Sequence, residues 1–131
     1  MGSIFISIDT NEIHHNSKLF SAIFHRKIND IVNRSDVKEE LLEVVARYAD
    51  PYVPYKTGAL SKNYRILSEG IHYMQPYAEY QYYGAHYNHP ADGPHPLARH
   101  RWVDYAMSQH HKEMSKEWTA ILTKHLMTWW K

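Results

Sequence analysis

A chain of 131 residues at 44% apolar composition is the size of one domain with one modest core. With 15 Lys+Arg against 14 Asp+Glu, no global field draws it onto nucleic acid or an anionic membrane. The absence of cysteine excludes disulfides and thiolate metal sites and removes any redox clue to compartment.

The chain opens on MGSIFISIDT, which has no basic segment and too short an apolar run for a signal peptide, and no later run approaches a membrane span. A protein made and used in the cytosol, without membrane contact, is the expectation. Ile4, Phe5, Ile6 and Ile8 read as a strand, ended by Asp9-Thr10-Asn11. From Ser17 the apolar residues Leu19, Phe20, Ile23, Phe24, Ile28, Ile31 and Val32 recur at helical steps. Asn33-Arg34-Ser35-Asp36 marks a break, with Asp36 and Glu39 at capping-box spacing. A second helix then carries Val37, Leu41, Val44, Val45 and Tyr48, and Pro51 and Pro54 stop it.

Thr57-Gly58 marks a tight turn, and Asn63 to Ser68 alternates as a strand with Tyr64 and Ile66 on one face. Glu69-Gly70 reads as a hairpin turn, with Ile71 to Met74 as the return strand. Pro76 to Gly84 is dense in tyrosine, and Ala85 to Pro96 is a loop by composition. From Leu97 almost to Lys131, Val103, Met107, Met114, Trp118, Ile121, Leu122, Leu126 and Trp129 predict one long helix. At about 1.5 Å per residue it would be roughly 45 to 50 Å long, so part of it should touch a neighbour. The fold class expected is α+β, a single domain over 1–131: an N-terminal strand, one or two helices, a small antiparallel sheet with a β-hairpin, and a long C-terminal helix.

The chain is rich in His (11), Tyr (11) and Trp (4). Tyr and Trp suit interfaces because they offer large contact area and a polar handle at little entropic cost. The histidines supply the one catalytic temptation, His86, His89, His95 and His100 with Asp92, whose neutral imidazoles and carboxylate are zinc-ligand types. Their spacing matches no zinc pattern, most of them lie in one proline-punctuated loop, His110-His111 is an adjacent pair that points apart on a helix, and His14-His15, also adjacent, reads as exposed near the chain start. No nucleophile elbow and no phosphate-cradling glycine repeat occurs. Lys56, Lys62, Arg65, Arg99 and Arg101 are candidates for a local nucleic-acid patch, opposed by the nearby acids Glu69, Glu79 and Asp104. No catalytic residue, metal ligand or cofactor is assigned.

Three pieces stand in order. They are Tyr52-Val53-Pro54-Tyr55-Lys56-Thr57-Gly58-Ala59-Leu60, then Pro76-Tyr77-Ala78-Glu79-Tyr80-Gln81-Tyr82-Tyr83-Gly84, then His95-Pro96-Leu97-Ala98-Arg99-His100-Arg101-Trp102 with Ala106-Met107. Together, over Val53 to Met107, they resemble the minor capsid protein family of tailed phages, within the wider group of head-to-tail connector and tail-completion proteins. The resemblance implies a non-catalytic structural protein of the virion neck, made in the host bacterial cytoplasm. It implies a homo-oligomeric ring stacked between portal-side and tail proteins, through which genomic DNA passes without sequence-specific binding.

Physically, Pro54, Thr57, Gly58 and Leu60 shape the turn and anchor the first strand, and Trp102 packs in the core. Tyr77, Tyr80, Tyr82 and Tyr83 exceed what so small a core can bury with satisfied hydroxyls, so they are contact candidates. His86, His89, Trp129 and Trp130 join them. Two other classes compete: a small metal-binding protein or metal-dependent hydrolase on the His-rich loop 86–100, and a small DNA-binding protein.

Overall fold

The structure is a computed structural model and describes residues 2–10, 30–54, 59–84 and 97–130. Thr57, Gly58, His86 and His89 lie outside the described residues, as do the side chains of Trp129 and Trp130 and most of the helix expected from Ser17. The architecture is α+β, as expected.

Strand β1 (Ile4–Ser7) alternates as its sequence dictates, with Ile4 and Ile6 buried and Phe5 and Ser7 turned out. Strands β2 (Tyr64–Leu67) and β3 (Gly70–Tyr73) form the expected hairpin, its turn at Ser68 and Glu69 rather than Glu69-Gly70. The sheet order is β1-β3-β2, antiparallel throughout, so the N-terminal strand is completed by the hairpin. The register aligns Ile4, Tyr73 and Tyr64, and Ile6, Ile71 and Ile66, on the inner face. Gly70 is a strand residue because nothing larger fits, since a Cβ there would lie 2.1 Å from the carbonyl oxygen of Ile6.

Helix α1 (Ser35–Ala49) buries Val37, Leu41, Leu42, Val44, Val45, Ala46 and Ala49 along one broad stripe. The anticipated capping box does not form. The helix is entered from Arg34 with no side-chain cap, and Asp36 is bonded instead to the Arg34 guanidinium at 2.6 Å. Pro51 turns the chain into a 3₁₀ turn (Asp50–Tyr52), the buried Pro54 follows, and a single-turn helix α2 (Ala59–Lys62) brings the buried Leu60 to the core. Ser61 donates a hydrogen bond back to Asp50, tying α2 to the end of α1.

The tyrosine-rich segment folds as α3 (Ala78–Tyr83). The long C-terminal helix is corrected to two: α4 (Trp102–Gln109) and α5 (His111–Trp130), bent at His110. Residues 97–101 stay out of the helix because their backbone is committed elsewhere. Arg99 N–H donates to the Tyr52 carbonyl at 2.9 Å and Arg101 N–H to the Tyr82 carbonyl at 2.8 Å, with Arg101 in the left-handed region at φ 48°.

At His110 the bonds from its N–H to Ala106 and from Met114 N–H to its carbonyl persist, so the axis bends rather than ends. The ring of His110 meets the Tyr52 hydroxyl at 2.7 Å and lies 5.3 Å from the Tyr48 ring, which pins the bend. Bent this way, α4 and α5 both pack on α1, and Met114, Trp118, Leu122 and Leu126 are buried there. Trp118 Nε1–H reaches the Leu41 carbonyl at 3.1 Å. The expected projecting rod of 45 to 50 Å is therefore absent, and with it that ground for a neighbour.

Candidate functional site: the outward surfaces

On a helix each residue turns about 100°, so six residues of α3 cannot share a side. Ala78 and Tyr82 point inward, and Tyr80 and Tyr83 outward. Tyr82, a contact candidate by composition, is corrected to a core residue at 3% exposure. Its ring meets Trp102 edge-on at 4.6 Å, and Tyr73 meets Trp102 at 5.3 Å, so the wholly buried indole is the hub of an aromatic cluster. Burial pushes the Tyr73 and Tyr82 phenols well up, the latter also through the Asp104 carboxylate. Tyr83 remains 54% exposed under the Arg101 guanidinium, 5.2 Å from its ring centre, and Tyr77 is half-buried against the core.

The glycine that closes this motif has a clear cause. Gly84 ends α3 at φ 72°, and a Cβ there would stand 2.6 Å from the Cβ and Cγ of His100. His100 is thus packed against the end of α3. His86, His89, His95 and Asp92 lie outside the described residues, and among the described residues no group of three or more His, Asp or Glu is placed to hold a metal ion.

The basic candidates do not form one patch. Arg99 stacks 3.8 Å over the Tyr105 ring, and Arg101 sits beside Tyr83 and 3.7 Å from Asp104. Lys62 at the end of α2 and Arg65 on β2 are exposed, and Lys56 lies outside the described residues.

Two surfaces escaped the sequence reading. The first is the outer face of the sheet, where the rows Phe5, His72, Arg65 and Ser7, Gly70, Leu67 lie side by side. Phe5 (45%), Leu67 (43%) and Met74 (40%) are exposed there, the Phe5 ring reaching over the space that a Gly70 side chain would take. The available signal was the two-residue period of a strand, which turns Phe5 to the side opposite Ile4 and Ile6. The second is a shallow groove of about 370 Å³ between α1 and α5, floored by Val44, Ala120 and Ile121 and edged by Glu40, Glu43, Arg47 and Glu117.

Ion pairs hold the groove. Lys124 Nζ and His125 Nε2 each lie 2.8 Å from Glu40, while Arg47 and the Tyr48 hydroxyl bond Glu117. The Arg47 guanidinium holds the Glu117 carboxyl below the usual carboxylate range. Partial burial would raise Glu40, but Lys124 and His125 outweigh it and its carboxyl is also lowered. Among the described residues Glu43 takes only the Tyr64 hydroxyl, at 3.2 Å.

No helix among the described residues is long and apolar enough to cross a membrane. A family model described as minor capsid protein matches residues 20–125. No curated protein and no solved structure matches the chain. With the match spanning most of its length, the chain belongs to the minor capsid protein family and is a structural protein of the phage virion.

Proposed function

We propose that this minor capsid family member is a non-catalytic subunit of the neck, in a homo-oligomeric ring that joins the portal side of the head to the tail and lets the genome through. One observation carries the reading. The family match spans residues 20–125 and contains the three ordered motifs, whose described residues converge on one packed unit: Pro54 and Leu60 in the core, Ala78 and Gly84 bounding α3, and Trp102 at its centre.

Residues that pack this tightly around a fixed frame serve to hold surfaces in place, which is the work of an assembly subunit. The near-zero net charge suits a conduit, because strong attraction to phosphates would retard passing DNA. Its partners in this reading are other copies of itself and the adjacent portal-side and tail proteins.

Deleting the gene from the phage tests it. The expected lysate contains DNA-filled heads and free tails that fail to join. Infectious particles at wild-type yield, or loss of heads themselves, would overturn the neck assignment.

A further inference from the structure

The fold leaves open two surfaces that differ in charge. Helix α1 packs against both the inner face of the sheet and α5, and the groove's edge reaches the sheet where the Tyr64 hydroxyl of β2 bonds Glu43. Phe5, Leu67 and Met74 surround Arg65 and His72 on the outer face, which carries no carboxylate in its two paired rows. Arg65 has no ion-pair partner among the described residues. The groove offers the converse, an apolar floor of Val44, Ala120 and Ile121 with Glu43 at its edge, a carboxylate whose one hydrogen-bond partner among the described residues is a phenol.

We propose that the outer sheet face of one subunit docks into the α1–α5 groove of a second copy of this chain, with Leu67 over Ala120 and Ile121 and Arg65 on Glu43. The inference rests on the ring reading above and names the contact that builds the ring. A patch on one subunit that meets a different patch on the next is a heterologous contact, and such contacts close into rings when the rotation allows. A reciprocal two-fold contact, with each subunit's sheet face in the other's groove, would stop at a dimer, whereas a ring carries the contact on through every subunit.

Size fixes the strength. Three strands of four residues at about 4.8 Å spacing and 3.4 Å rise present on the order of 200 Å². A stable pair needs roughly 800 Å² per partner. The contact is therefore weak between free subunits and holds only where ring closure and neighbouring virion proteins supply the rest.

The test uses purified phage particles, and the cysteine-free chain makes any disulfide diagnostic. Particles carrying Leu67→Cys with Ala120→Cys are oxidised gently and run without reductant. The expected result is a ladder of this chain from dimer upward, with each single variant staying monomeric. A dimer from Leu67→Cys alone would overturn the proposal in favour of a two-fold contact. Cross-linking of Leu67→Cys to a different virion protein would overturn it in favour of another occupant.

If the cysteine pair does not enter particles, charge reversal decides. Arg65→Glu should lower incorporation at least tenfold, and adding Glu43→Arg should restore it; failure of that rescue overturns the contact. Electron microscopy of the same particles separates the two levels. A visible ring of this chain without ladder or rescue sinks the contact alone, while the chain found outside any ring sinks the ring reading itself.

Discussion

Gly84→Ala is the sharpest probe of why the tyrosine-rich motif ends in glycine. At φ 72° an alanine pays the left-handed penalty, about 1 to 2 kcal/mol. Its Cβ would also stand 2.6 Å from two atoms of His100, an overlap that forces a shift costing about 1 to 3 kcal/mol. The sum, about 2 to 5 kcal/mol, is a large part of the roughly 5 to 15 kcal/mol that holds a domain together. In urea, where slopes are about 1 to 3 kcal/mol per M, the unfolding midpoint should fall by on the order of 1 to 2 M.

The two causes separate in a double-mutant cycle with His100→Gly. Removing the histidine side chain takes away both atoms at 2.6 Å and leaves the backbone penalty, so Gly84→Ala should cost about 1 to 3 kcal/mol less in the His100→Gly background. Additivity within about 0.5 kcal/mol would refute the packing argument. A cost below about 1 kcal/mol for Gly84→Ala itself would refute both parts.

Three further outcomes are expected. Trp102→Ala empties the hub between Tyr73 and Tyr82 and should cost about 3 to 5 kcal/mol by urea unfolding; a loss under 1 kcal/mol would show the cluster to be loosely packed. Tyr82→Ala should destabilise by more than 2 kcal/mol, whereas exposed Tyr83→Ala should stay within about 0.5 kcal/mol while lowering incorporation into particles; equal losses of stability would contradict the inward and outward assignment. Glu117 has its folded pKa lowered, chiefly by Arg47. Its contribution is thus present above the unfolded value and is lost as pH falls through the folded one, so Glu117→Gln should flatten the decline of stability below about pH 4.5. With Glu117 about one third exposed, solvent screening keeps that effect under about 1 kcal/mol, and identical acid limbs for both proteins would reject it.

The elements most legible in the sequence were those whose own residues decide them. An apolar run rich in β-branched residues placed β1, alternation and a turn signal placed the hairpin, and the 3.6-residue stripe from Val37 to Tyr48 placed α1, because each buries one face against a single core. The bend at His110 was not legible, since the local pattern continues helically and the partner that pins the ring, Tyr52, is 58 residues away. Nor could composition divide the tyrosines. Six residues are too few to show a period, and the side that Tyr82 takes is set by Trp102 arriving from another element.

The capping box failed for a related reason. The helix begins at Ser35, ahead of the expected cap, so Asp36 lies in its first turn and bonds the Arg34 guanidinium instead. The outer sheet face was readable in principle, because Phe5 alternates with two buried isoleucines.

Labelling this chain in intact particles tests the central claim most directly. With an antibody fragment bound and the particles imaged by electron microscopy, the neck account predicts several copies arranged as a ring at the one vertex where head meets tail. Label spread over the capsid shell, or a single copy at the joint, would contradict it.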